Sequence, residues 1–304
     1  MKRLVRLAVF ALFIIAAAVF CNKQEGVDEQ TYRASIDRWH KERVVRLTKP
    51  EGWLSLAGLY WLKEGENTFG FGRGHDIEFP GENGQAQLGS FLLHEGKVSV
   101  ILNPQAQVLV DSQFVLQSEL KDDLQGRPTR MERGRYLWYV IKRGERFGIR
   151  LKDRQNPKIK QFKGIKRFPV DLKWRIKARF VPYDSVRMVM VPTVLGTQAP
   201  SRSPGELEFT MDGRTFRLQA LADSPNEPLF IIFSDETNGR ETYGAGRFLE
   251  TEAVNQKGET IIDFNKAYNP PCAFTEYATC PLPPAQNHLP VRITAGEMIY
   301  EDGH

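Results

Sequence analysis

The run RYLWYVIKRGERFGIRLKD, residues 135–153, decides the fold class of this chain. Two stretches of β-branched and aromatic residues, 136–142 and 147–151, flank Gly144, which supplies the turn of a β-hairpin. Working backwards, the same texture continues. Short apolar pieces at 68–70, 76–79, 90–93, 98–102, 108–110 and 114–116 alternate with turn residues at close intervals. Strands this short and this many predict a β-sandwich.

Working forwards, residues 153–174 are rich in lysine, hold two prolines and have few apolar residues, which reads as a connector. A second strand series follows at 174–181, 186–195, 206–211, 215–220, 229–234, 243–249, 260–264 and 291–294. The dipeptide Asp212-Gly213 stands between two of these as a hairpin turn. One helix is expected, over 28–47, where Tyr32, Ile36, Trp39 and Val44 form an apolar stripe; Pro50 and Gly52 end it. The expected chain is mainly β: two consecutive β-sandwich or barrel domains, preceded by a signal segment and one N-terminal helix. The boundaries are 1–21 for the signal or lipoprotein segment, 22–52 for the helix, 53–155 for the first β domain and 156–304 for the second.

The signal reading rests on Lys2, Arg3 and Arg6, the apolar run 7–20, and Cys21 closing it. That is an export signal of lipoprotein type, with Cys21 as the lipidation site. It places the body of the protein in the cell envelope, in the periplasm or on the outer surface, anchored to a membrane and in a compartment that permits disulfides. Removing the three signal cations takes the formal charge from +5 to +2. The remaining charge is uneven, with 19 Lys/Arg against 4 Asp/Glu between Arg127 and Arg179. An exported chain with no nucleic-acid-binding motif argues against DNA or RNA as a partner. The basic stretch instead fits internal charge pairing or an anionic envelope partner.

No Gly-x-Ser-x-Gly elbow, His-Glu-x-x-His or P-loop appears, and no cofactor motif is present. Reactive side chains gather in AYNPPCAFTEYATCPLPP, residues 267–284. Cys272 and Cys280 leave an even pair once Cys21 is assigned to the signal, so a disulfide is the leading expectation. A zinc site with His288, a nucleophilic cysteine with His288 as base, and unpaired buried thiols are the alternatives. Upstream, TYGAGRF (242–248) would present Tyr243 and Arg247 on one face of a strand, with two glycines leaving room on the other. With Asp263, Asn265, Tyr268, Asn269 and Tyr277 these residues could line a polar pocket for an anionic or carbonyl group. The plainer arrangement pairs Arg247 with Asp263 and uses the asparagines as turn caps.

Two resemblances follow from quoted motifs. GENTFGFGRGHDIEFP, residues 65–80, resembles the opening of a forkhead-associated-type sandwich. No Ser-x-x-His follows it, and Asn83-Gly84 comes too early for that family's Asn-Gly, so the resemblance implies the scaffold and not phosphopeptide binding. Separately, GWLSLAGLYWLKEG, FGIRLKD, VPTVLG, ETYGAGRFLE and DFNKAYNPPCAFTEYATCPLPPAQNHLPVRITAGE resemble domain of unknown function 1684. That is a family of uncharacterised bacterial and archaeal proteins, and it implies no reaction or ligand. The expected function is therefore binding or scaffolding in the envelope. The ligand would be an anionic or glycan-like small molecule, or an envelope protein. The alternative is a hydrolase centred on Tyr243, Arg247, Asp263 and Tyr277.

Overall fold

The structure, a computed structural model, describes residues 27–81 and 86–301. The expected signal segment with Cys21, and Asn83-Gly84, lie outside the described residues. The chain is mainly β with one long helix, α1 (Glu29–Thr48). Asp28 caps α1 by accepting from the Thr31 amide at 2.7 Å. The buried face of α1 is Tyr32, Ile36, Arg43 and Leu47. Arg43 and Leu47 take the inward positions expected of Trp39 and Val44, because a buried carboxylate, Glu297, waits for Arg43 on the inner side.

A two-sheet sandwich comes next. One sheet holds β1 (Leu56–Trp61), β6 (Leu109–Val110), β8 (Met131–Arg133), β9 (Tyr136–Arg143) and β10 (Arg146–Asp153), in the order β1-β10-β9-β8-β6. The other holds β2 (Gly65–Phe71), β3 (Ile77–Phe79), β4 (Ala86–His94), β5 (Lys97–Leu102) and β7 (Gln117–Leu120), in the order β3-β2-β4-β5-β7. The expected hairpin forms with Arg143 opposite Arg146, and Gly144 adopts a φ of 59° that few other residues tolerate. Aromatic rings fill the space between the sheets: Phe69 stacks on Phe91 at 4.2 Å, and Trp138 meets Phe79 edge-on at 5.2 Å. The piece at 114–116 is not a strand. Phe114 and Leu116 are exposed, and pairing begins only at Gln117.

After a short helix, α2 (Pro157–Gln161), the second β region begins. β11 (Arg175–Pro192) is one 18-residue strand that merges two expected ones across a register shift between Pro182 and Arg187. It lies in a sheet ordered β13-β12-β11-β16, with β12 (Gln198–Met211), β13 (Arg214–Ala220) and β16 (Glu259–Asp263). The Asp212-Gly213 turn forms, both residues having positive φ. A three-stranded sheet, β15-β14-β17, joins β14 (Phe230–Asp235), β15 (Arg247–Glu250) and β17 (His288–Leu289). Phe209, Phe233, Phe264, Leu249 and Ile262 lie in the core of this region. None of these sheets closes into a barrel. The expected strand at 291–294 is absent from the pairing. The one at 243–249 shortens to Arg247–Glu250, since Tyr243 to Gly246 form a turn.

The two cores are distinct, but α1 and the Cys/Pro-rich segment tie them together. Leu47, Leu54, Ile165, Ala273 and Phe274 form a small shared cluster. Arg143 and Arg150 of the sandwich both donate to the Thr279 hydroxyl, at 2.9 and 3.1 Å. No helix among the described residues is long and apolar enough to cross a membrane.

Candidate functional site

Where α1 crosses the second β region a groove of about 470 Å³ opens. The helix contributes Trp39, Arg43 and Arg46. The turn after it adds Trp53, held beneath the helix end by a tight bend at Gly52. A Cβ on Gly52 would meet the Leu47 carbonyl oxygen at 2.4 Å. Phe230 comes from β14, Phe248 and Glu250 from β15, and Lys266, Tyr268 and Pro271 from the segment after β16.

The floor is a chain of rings. Phe230 meets Phe248 at 5.0 Å, Phe248 meets Tyr268 at 5.8 Å, and Tyr268 meets Trp39 at 6.3 Å. The Arg43 guanidinium lies 4.6 Å over the Tyr268 ring, a cation–π contact. Arg43 also donates to the Asn269 carbonyl at 2.8 Å and pairs with Glu297 at 3.3 Å. Tyr268 donates its hydroxyl to Glu250 at 2.8 Å. Burial, then the Glu250 charge, pushes that phenol above its ordinary range, so it stays a donor. Arg46 and Lys266 make no ion pair among the described residues. The groove therefore presents two uncommitted cations beside an aromatic trough, with one carboxylate already engaged.

Of the seven pocket candidates, only Tyr268 lines this groove. Tyr243 and Arg247 do not share a strand face, because the chain turns at Gly244-Ala245 before β15 begins. Arg247 is fully buried and pairs with Asp235, not with Asp263. Its Nη1 and Nη2 also donate to the carbonyls of Ala295 and Ile293, and the guanidinium lies 5.2 Å over the Phe233 ring. Burial lowers the arginine's proton affinity, and the Asp235 charge opposes that. Gly246 leaves no room for a ligand, because the chain's own Pro283 and the Phe233 carbonyl occupy the space.

Asp263 accepts from Tyr32 at 2.8 Å and from the Asn265 amide at 3.2 Å, capping the turn that follows β16. Asn265 donates to Tyr32 and to the Asp171 carbonyl, fastening α1 to the sheet. Asn269 receives Glu297 on its backbone amide at 2.7 Å and donates to the Met298 carbonyl. Burial pushes the Glu297 carboxyl up, while Arg43 and the Asn269 amide pull it down. Tyr277 is half-buried on the sandwich side, where burial raises its phenol. The candidates thus do not converge on one place.

Cys272 and Cys280 are free thiols in contact. The Cys272 amide donates to Cys280 Sγ at 3.1 Å, and the Tyr243 hydroxyl donates to the Cys272 carbonyl at 3.3 Å. His288 is elsewhere, with Nδ1 3.1 Å from the Ser234 hydroxyl and Nε2 3.5 Å from Glu236. The zinc and cysteine–histidine alternatives lose their third member, and no metal-holding cluster occurs among the described residues.

Nine of the ten groove residues were not singled out from the sequence. One signal existed: Arg43 falls on the buried stripe of α1 at i+7 from Ile36, where an apolar residue belongs.

No curated protein matches this chain. Its residues 160–298 match the model of a family described as protein of unknown function, DUF1684. Among solved structures it is similar to an uncharacterised protein of Haloarcula marismortui determined by solution NMR. The two are 31% identical over 46% of this chain and 78% of that one, with a TM-score of 0.39. Over residues 160–298, then, the chain carries a region of the DUF1684 family of proteins of unknown function.

Proposed function

We propose that this protein is an exported, lipid-anchored binding protein of the cell envelope. Its ligand would carry an anionic group next to a flat ring or sugar face. The observation that carries the reading is the groove itself: an aromatic floor built on Tyr268, Trp39 and Phe248, with Arg46 and Lys266 at its side making no ion pair among the described residues. Aromatic faces stack on planar or C–H-lined surfaces, and unpaired cations supply the attraction for charge. Export and the anchor at Cys21 rest on the N-terminal sequence. The first sandwich would be a scaffold of forkhead-associated type, without that family's phosphopeptide site. No hydrolytic centre is proposed, since Tyr243, Arg247, Asp263 and Tyr277 do not meet.

The test is a thermal-shift screen of acidic sugars, sugar phosphates and their neutral counterparts. An acidic member should stabilise the wild type, its neutral counterpart should not, and Lys266→Glu should abolish the shift. Equal response of wild type and Lys266→Glu to every acidic compound would overturn the reading. Mass analysis of the mature N-terminus tests the anchor: an acylated Cys21 supports it, and cleavage at another bond removes it.

A further inference from the structure

The groove leaves the cysteine pair unused, and its surroundings are unusual for a structural staple. Cys280 is 4% exposed while Cys272 is only half-buried, so the two sulfurs differ in access. Their backbones are pinned independently. The Cys280 carbonyl accepts from the Val194 amide at 3.0 Å, and the Pro192 carbonyl accepts from Leu282 at 2.7 Å. The Cys272 carbonyl is held by Tyr243. The Cys280 sulfur already rests on the Cys272 amide, so side-chain rotation can bring sulfur to sulfur. A buried cation stands beside them: Arg150, 3% exposed, bonds Thr279 next to Cys280. Its Nε has no hydrogen-bond partner among the described residues.

We propose that Cys272 and Cys280 form a reversible thiol–disulfide centre that exchanges with small-molecule disulfides, Cys272 attacking and Cys280 resolving. The Cys272 thiolate attacks one sulfur of a disulfide RSSR. The S–S bond of RSSR breaks, and the departing thiolate takes up a proton as RSH. Cys280 then gives up its proton, and its sulfur attacks the Cys272 sulfur of the mixed disulfide. The bond from Cys272 to the R-bearing sulfur breaks, and the second RS⁻ leaves with that proton. The protein dithiol is oxidised to a disulfide, and RSSR is reduced to two RSH.

The asymmetry of the pair supports these roles. The side-chain hydrogen bond with Cys280 holds the Cys272 thiol below its ordinary range, and Tyr243 adds to this. Cys280 is pushed up by that same hydrogen bond and by burial. The proposal does not depend on the groove or its ligand.

The test equilibrates the full chain with oxidised and reduced glutathione in varying ratio, quenches with acid and maps thiols by peptide mass spectrometry. The wild type should pass reversibly between dithiol and Cys272–Cys280 disulfide across the series. Cys280→Ser should accumulate a glutathione adduct on Cys272, whereas Cys272→Ser should leave Cys280 unmodified. A disulfide that stays closed in the most reducing mixture, or thiols that stay free in the most oxidising one, would overturn the proposal without recourse to a variant. So would preferential modification of Cys280.

Discussion

Arg247 and Asp235 face each other in an ion pair from which solvent is wholly excluded, both side chains at 0% exposure. Such a pair is costly to assemble and costlier to break, because removing one partner strands a buried charge. Asp235 also accepts from the Thr237 amide at 2.6 Å. Asp235→Ala is expected to lower stability by about 3–5 kcal/mol, read as the shift in urea midpoint at constant m. A midpoint within error of wild type would mean that Arg247 is hydrated.

Trp53 is 36% exposed at the groove wall, so its truncation separates binding from folding. Trp53→Ala should weaken an acidic ligand found by screening about tenfold or more, about 1.4 kcal/mol. Calorimetric titration measures this, with the urea midpoint changing by less than about 1 kcal/mol. Loss of stability without loss of affinity would place Trp53 outside the site.

Gly246 and Gly213 both have positive φ, 89° and 73°. A Cβ on Gly246 would lie 2.4 Å from Pro283 Cγ and 2.7 Å from the Phe233 carbonyl oxygen; on Gly213 it would meet nothing within 4 Å. Gly213→Ala should cost about 1–2 kcal/mol, the backbone conformation alone. Gly246→Ala should cost that plus the displacement of Pro283, at least about 2 kcal/mol more. Equal losses in parallel denaturation curves would show that Pro283 yields freely.

Glu51 joins α1 to the sandwich by accepting from Arg130 at 2.8 Å and Arg154 at 2.9 Å. The Arg130 hydrogen bond, with Arg154 behind it, draws its carboxyl down from 4.5 to about 2. A carboxyl held down in the folded state contributes stability that is fully present above pH 4.5. That contribution is lost as the pH falls toward about 2. The side chain is 38% exposed, so screening reduces the contribution to about 1 kcal/mol. Glu51→Gln should be less stable than wild type by that amount at pH 7, the gap closing between pH 4.5 and 2. A gap independent of pH would assign the effect to packing.

The β architecture was legible because alternation and turn residues are local. Gly144 and Asp212-Gly213 mark their hairpins without help from distant residues, and α1 differs by one residue at each end. The groove was not legible, because its parts come from residue 39 to residue 271 and touch only after both β regions are built. Arg247 misled for a related reason. Its partner, Asp235, lies across a turn whose geometry comes from Thr237, Asn238 and Thr242, and spacing alone does not reveal that closure. Tyr268 was found because it sits in a stretch rich in polar side chains, although its neighbours there turn elsewhere.

The bond between Arg43 and Glu297 spans 254 positions. A ribosome delivers this chain N-terminus first. The helix bearing Arg43 thus emerges long before the carboxylate it pairs with. Until then Arg43 lacks the carboxylate that balances its charge. Contacts of such long range are closed late and slowly. A chain ending just before Glu297 would carry every named strand but leave the buried Arg43 without its carboxylate. A chain that stops short of Glu297 should therefore be the more sensitive to quality-control proteases.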